Sequence, residues 1–283
     1  MMIAVNGVTF RYKGSEDAAL KDVSLTVADG DFLGIIGTSG AGKSTLAQAL
    51  NGVVPHEFKG DFYGCVLVDG EDTVDHPATY FARKVGEVSQ DIDSQMVASI
   101  VEDEILFGME NFGIPHEEIG RRLEKVLCDL GIAELREREI ASLSGGQKQK
   151  VAIAALLALE PQIMVLDEPT GELDPESSEE IFDMLRGLNR EKGITVVIIE
   201  QKIKLLCEYV KHLVVLDKGE VRFDGTPREV IAHIDMFKKL GINVPPVAEL
   251  SALLRADGLY AGGVTLTVDE AEKMVREVLH DRV

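Results

Sequence analysis

The chain has 283 residues, 45 % of them apolar, which suffices for one large α/β body with a small appendage and a filled core. A formal charge of −20 repels phosphate backbones and argues against nucleic acid as a partner. Cys65, Cys128 and Cys207 lack C-x-x-C spacing and the six histidines lack ligand spacing, so a reducing compartment is expected, with neither a disulfide frame nor a zinc site.

The start, residues 1–5, has no basic region ahead of a long apolar run, so no signal peptide is expected. The longest apolar run, residues 151–159, falls far short of the roughly 20 residues a membrane span requires. Any membrane connection must therefore come through a partner.

In chain order, residues 3–9 and 24–27 read as strands. Between them Tyr12 is suited either to stack on a purine ring or to pin a strand end. A buried strand at 32–36 enters Gly37-Thr38-Ser39-Gly40-Ala41-Gly42-Lys43-Ser44-Thr45, which fits G-x-x-x-x-G-K-[ST], and good helix formers follow it. The glycines let backbone N–H groups turn toward a phosphate, and the helix points its positive end at the same place. Lys43 adds a cation for the β/γ-phosphates, and the Ser44 hydroxyl is a Mg²⁺ ligand.

Residues 66–68 and 85–89 read as further strands, the second delivering Gln90 to a loop. From about 91 to 159 apolar residues recur at helical spacing, which marks a helical insertion between two halves of an α/β core. It ends in Leu143-Ser144-Gly145-Gly146-Gln147. Ser144 and Gln147 form a capping box, yet Gly145 and Gly146 each cost about 1 kcal/mol against alanine in a helix, which makes sense where an anion must approach the backbone. A strand at 163–166 then places Asp167 and Glu168 at a sheet's carboxyl edge, Asp167 to complete the Mg²⁺ shell and Glu168 to orient or deprotonate a water. Strands at 194–199, 213–216 and 221–223 follow. Past Pro227 the pattern is helical; Thr267 and Glu270 form a second capping box, and Ala271, Met274, Val275, Val278 and Leu279 share one face, which packs on the body or meets another subunit.

Tyr12, the 37–45 loop, Gln90, Leu143 to Gln147, Asp167-Glu168 and Leu173-Asp174 come in the order found in ATP-binding subunits of ABC transporters, and the chain resembles that family over residues 1 to about 227. The resemblance implies an α/β P-loop NTPase (RecA-like) core with an antiparallel β edge. It also implies an inserted helical subdomain at about 91–160 and a small, mostly helical C-terminal domain at 228–283, a candidate for dimerisation. It further implies a head-to-tail dimer in which ATP is sandwiched between one subunit's phosphate loop and the other's Ser144, Gly145, Gly146 and Gln147, with Asp174 beside them. Tyr12 becomes the adenine stack, Gln90 reaches the Mg²⁺ or the water and couples the nucleotide to the membrane partner, and Glu168 is the catalytic base.

Residues 143–154, Val101-Glu102-Asp103-Glu104 with Phe107-Gly108, and the tail at 236–245 look like the energy-coupling factor branch. Its ATPases drive uptake of vitamins or of cobalt and nickel ions through a transmembrane coupling subunit and a substrate-binding membrane protein. ATP and Mg²⁺, a second ATP-binding subunit in a homo- or heterodimer, and a place on the cytoplasmic face of the membrane follow as expectations. Asp91 and Asp93 are candidate acceptors for an arginine of the membrane subunit. The chain departs from the family where a switch histidine is expected: Gln201 stands there and carries no positive charge. His212 reads as a surface histidine behind a helix. The alternatives are an ATPase of another ABC transporter type, a soluble ABC protein outside transport, and a regulator that hardly hydrolyses.

Overall fold

A computed structural model describes residues 2–280. The chain opens with β1 (Ile3–Tyr12) and β2 (Leu20–Val27), whose side chains alternate between core and solvent as a one-sided antiparallel sheet demands. β3 (Phe32–Gly37) is buried at every position and runs through the phosphate loop into α1 (Lys43–Leu50). Two short helices, α2 (Val53–His56) and α3 (Ala78–Phe81), bracket β4 (Gly60–Val68) and β5 (Glu71–Asp72). After β6 (Val85–Val88) come α4 (Ile92–Gln95), α5 (Val101–Asn111), α6 (His116–Asp129) and α7 (Gly145–Leu157). The chain returns through β7 (Ile163–Asp167), α8 (Pro175–Lys192), β8 (Thr195–Ile199), α9 (Ile203–Tyr209), β9 (His212–Asp217) and β10 (Glu220–Gly225). It finishes with α10 (Pro227–Ile231), α11 (Ile234–Leu240), α12 (Pro246–Ala256) and α13 (Val268–His280).

The strands form an antiparallel sheet of order β2-β1-β4-β5 and a six-stranded sheet of order β10-β9-β3-β8-β7-β6. In the larger sheet β9, β3, β8, β7 and β6 are parallel and only β10 is antiparallel. β7 and β8 are wholly buried, which is why they read as unbroken apolar runs. Each fully buried Val or Ile there stabilises the fold by roughly 1.5–3 kcal/mol.

The helical insertion lies across one face of this sheet. α7 seats its Leu156 directly on Gly86 of β6, where any Cβ would overlap the leucine's methyl group. The same apolar cluster continues from the insertion through α8 and α9 into Phe237, Val244, Ala248, Val264 and Leu266 of the C-terminal helices. α13 buries Ala271 and Met274 but leaves Val268, Val275 and Leu279 exposed.

Three sequence expectations change. β4 starts at Gly60, six residues before the predicted strand, because Asp61 and Gly64 break the alternation there. The second capping box is half formed: Thr267 Oγ1 accepts from the Glu270 N–H, but the Glu270 carboxylate turns to the Leu266 N–H at 2.8 Å and to Arg228. His212 is not a bare surface histidine behind a helix; it begins β9, half-buried, with Nδ1 3.2 Å from Asp31 Oδ2 and Nε2 against the Asp224 carboxylate.

Candidate active site

The parallel strands share one direction, so the loops at their carboxyl ends open on one edge of the sheet. The register puts Asp167 opposite Ile199, Ile35 opposite Ile199, and Gly37 opposite Leu216. Topology alone therefore gathers the phosphate loop, Gln90, Asp167-Glu168 and Gln201 around one crevice.

Within the phosphate loop Gly40 and Gly42 adopt φ of +73° and +97°. Around Gly40 the space is open, whereas a Cβ on Gly42 would strike the carbonyl of Ala19. Both positions therefore require glycine, one by conformation and the other by conformation and contact. Lys43 is only 7 % exposed, and its Nζ donates to the carbonyls of Gly37 and Thr38 at 3.1 Å each. Both partners are neutral carbonyls rather than carboxylates. Ala41, Ser39 and Thr38 complete the turn before α1.

Tyr12 takes the strand-pinning one of its two sequence readings. It pins the end of β1, with its hydroxyl 2.9 Å from Thr45 Oγ1 and its ring edge-on to Phe10 and Phe58. It also lines a cleft of about 430 Å³ with Lys13, Gly14 and Lys59.

Asp167 accepts a hydrogen bond from the Ser44 hydroxyl. Burial pushes its carboxyl above the usual range, the neighbouring Glu168 adds to the rise, and Ser44 and Lys43 oppose it. One carboxylate beside one hydroxyl is a hard oxygen pair that leaves most of a coordination shell to phosphate and water, the arrangement Mg²⁺ favours. Among the described residues no group of three or more His, Cys, Asp or Glu offers a metal cage.

Glu168 sits at φ +49°, a left-handed conformation that costs a non-glycine residue of order 1–3 kcal/mol. Its two oxygens are held from opposite loops: Gln201 Nε2 donates to Oε1 at 2.7 Å and Gln90 Nε2 to Oε2 at 3.2 Å. The glutamine in the switch position thus bonds the predicted base.

The residues flanking Gln201 carry no role in the sequence reading, yet they are more firmly bonded than Gln201 itself. Glu200, 1 % exposed, accepts from the Thr170 hydroxyl and from the N–H groups of Gln201 and Lys202. Lys202 Nζ donates to Thr170 O at 2.6 Å, Leu173 O at 2.9 Å and Ser178 Oγ at 2.7 Å. The signal in the sequence is Glu-Gln-Lys directly after the apolar run at residues 196–199, where charge must find partners or solvent.

Ser144 caps α7 with the predicted capping box, its N–H donating to Gln147 Oε1 and its hydroxyl accepting from the Gln147 N–H. Among the described residues no hydrogen bond joins this turn to the phosphate loop. Gly145 and Gly146 also answer to a neighbour in their own chain: a Cβ on Gly145 would lie 3.1 Å from Leu173 Cδ2, and one on Gly146 3.3 Å from Ser177 Cβ. Asp174, predicted beside the nucleotide, caps α8 through the Ser177 N–H and hydroxyl, which hold its carboxyl below the usual range. Asp91 caps α4 by accepting from the Ser94 N–H, and Asp93 pairs with Lys148 at 2.6 Å. These two acids line a cleft of about 510 Å³ between the Gln90 loop and α7, together with Gln149, whose buried amide has no hydrogen-bond partner among the described residues.

Residues 20–171 match the family model described as ABC transporter. The chain is 40 % identical over 97 % of its length to the energy-coupling factor transporter ATP-binding protein EcfA1 of Caldanaerobacter subterraneus, covering 98 % of that protein. It superposes on CbiO1 of Clostridium perfringens, part of the ABC transporter complex CbiONQ, with a TM-score of 0.75 and 32 % identity over 88 % of this chain and 97 % of that one. A dimeric ATP-binding cassette solved in a post-hydrolysis state with ADP and Pi gives a TM-score of 0.67 and 30 % identity, covering 80 % of this chain and 99 % of that one. No helix among the described residues is long and apolar enough to cross a membrane. With the phosphate loop, the acidic pair and the capped glycine turn all in place, the chain belongs to the ABC transporter family, as an ATP-hydrolysing cassette of the energy-coupling factor branch.

Proposed function

We propose that this ATPase works as one half of a pair of cassettes that drives a membrane importer of the energy-coupling factor type. The observation that carries the reading is the convergence on Glu168 of two switch amides, Gln90 and Gln201, beside the Asp167–Ser44 pair. The phosphate-loop N–H groups and Lys43 hold the β- and γ-phosphates, and Tyr12 stacks on the adenine. Ser44 and Asp167, joined by Gln90, would hold a Mg²⁺, which would supply neutralisation of the phosphate charge. Glu168 orients the attacking water and accepts its proton, while Gln201 donates to the γ-phosphate as a neutral stand-in for the branch's histidine.

The exposed turn Ser144, Gly145, Gly146, Gln147, together with Asp174, serves the triphosphate held by another cassette; the dimeric solved cassette supports this arrangement. The exposed apolar residues of α13 make the C-terminal segment a candidate for contact between cassettes. The cleft beside Gln90 receives a helix of the transmembrane coupling subunit at the cytoplasmic face of the membrane, in a complex that also holds a substrate-binding membrane protein for a vitamin or for cobalt or nickel. A partner arginine reaching Asp93 would there exchange with Lys148.

Crosslinking tests the paired site. In the Glu168→Gln chain loaded with ATP, single cysteines placed in the 37–45 loop and in the 144–147 turn should crosslink between copies and not without nucleotide. Absence of that crosslink in the loaded form would leave a plain nucleotide binder.

A further inference from the structure

The residue after the switch glutamine makes bonds that hydrolysis at its own site does not require. Lys202 reaches away from the crevice and fastens to Thr170 O, Leu173 O and Ser178 Oγ, three acceptors that span the turn between Glu168 and the first turn of α8. From the other side Glu200 secures the same turn through the Thr170 hydroxyl and holds the loop of Gln201 and Lys202 by its N–H groups. The turn in its own right leans on the signature glycines: Leu173 stands against Gly145 and Ser177 against Gly146, at 3.1 and 3.3 Å from where a Cβ would sit, so that a side chain there would push its neighbour by a few tenths of an ångström. A continuous run of bonds and contacts therefore joins Glu168, Gln201, Lys202, Leu173 and Gly145. One end faces the chain's own γ-phosphate site, and the other end is the turn offered to a second copy.

We propose that Lys202 is a positioning residue that locks the switch loop to the 170–178 turn, so that the state of one nucleotide site is conveyed to the signature turn that completes the neighbouring site. The proposal rests on the paired-cassette reading. Its physical basis is stiffness. A protonated amine bonded to two backbone carbonyls and a hydroxyl leaves the two loops little freedom to move separately, and packed glycine contacts pass on displacements of a few tenths of an ångström. Gln201 shifts when its partner changes from Glu168 to phosphate, and Lys202 makes the turn follow.

The test is ATP hydrolysis by the full chain, measured against ATP and protein concentration, with nucleotide affinity from a fluorescent ATP analogue. Lys202→Met is expected to lower kcat about tenfold and bring the Hill coefficient to near 1, while the nucleotide Kd stays within about twofold; a coupling loss of this kind falls in the usual 5–150-fold range. Lys202→Arg keeps the charge and donors and should restore the Hill coefficient. Ser178→Ala, which deletes one acceptor, should move cooperativity in the same direction by less, and it decides the matter where Lys202→Met does not fold. Unchanged cooperativity in whichever of these variants folds, or a Kd that worsens in step with kcat, would overturn the proposal. If the wild-type chain itself hydrolyses with a Hill coefficient of 1 at a rate per chain independent of protein concentration, pairing between two copies of this chain fails, and this proposal with it.

Discussion

The phosphate loop and the signature turn are both helix N-termini rich in glycine, but the chain equips them differently. Around the first it gathers Lys43, Asp167 and Glu168, so charge is concentrated where the triphosphate is held. Around the second it removes charge: Lys148 is drawn off to Asp93 and Lys150 to Glu180, and Ser144 and Gln147 cap each other. What remains there is a set of neutral N–H donors. The difference teaches that one end supplies the charge, while the other offers neutral geometry that, on the proposed reading, completes the site of another cassette.

The largest break in that contrast is Lys43→Met, which should lower phosphate release by about 10²–10³-fold, the scale for losing one preorganised charge donor. Gly145→Val comes next. Its side chain would crowd Leu173, and turnover should fall about tenfold or more while fluorescent-nucleotide binding by the same chain stays intact. A parallel loss of binding would mean that the two ends are not independent. Gln201→His sharpens the comparison in the other direction by adding charge at the reacting end. Turnover should rise by a few-fold, on the scale of a better-matched polar contact; no change or a fall would show that the glutamine does not limit the site.

The smallest effect lies outside both ends. The hydrogen bond with Asp31, helped by Asp224 and opposed by partial burial, lifts His212 to about 9. A folded pKa above the unfolded one of roughly 6.5 gives stability that is complete below the unfolded value and disappears as pH rises through 9. His212→Asn should therefore lower Tm by a few degrees at pH 6, by thermal melts, with the gap to wild type closing above pH 9.

The reacting end was legible because its residues lie in short contiguous motifs whose spacing is the chemistry. Lys43 follows its glycines directly, and Asp167 and Glu168 end one apolar run. The strands of the parallel sheet were legible for the related reason that two-sided burial leaves unbroken apolar runs. What escaped is made of partners far apart in the chain. Lys202 and Thr170, Glu87 and Asn51, and His212 with Asp31 are separated by 32, 36 and 181 residues, and no local pattern announces such pairs. The start of β4 escaped because half of it faces solvent.

Leu156 resting on the bare backbone of Gly86 fixes a fulcrum near the trailing end of α7. From there to Gly145 is 11 residues, or about 16 Å of rigid rod at 1.5 Å per residue. Simple trigonometry then gives the glycine turn a sweep of roughly 3 Å for each ten degrees of tilt, about the length of one hydrogen bond. A small rocking of the helical lobe is thus sufficient to move the glycine turn by the length of one polar contact.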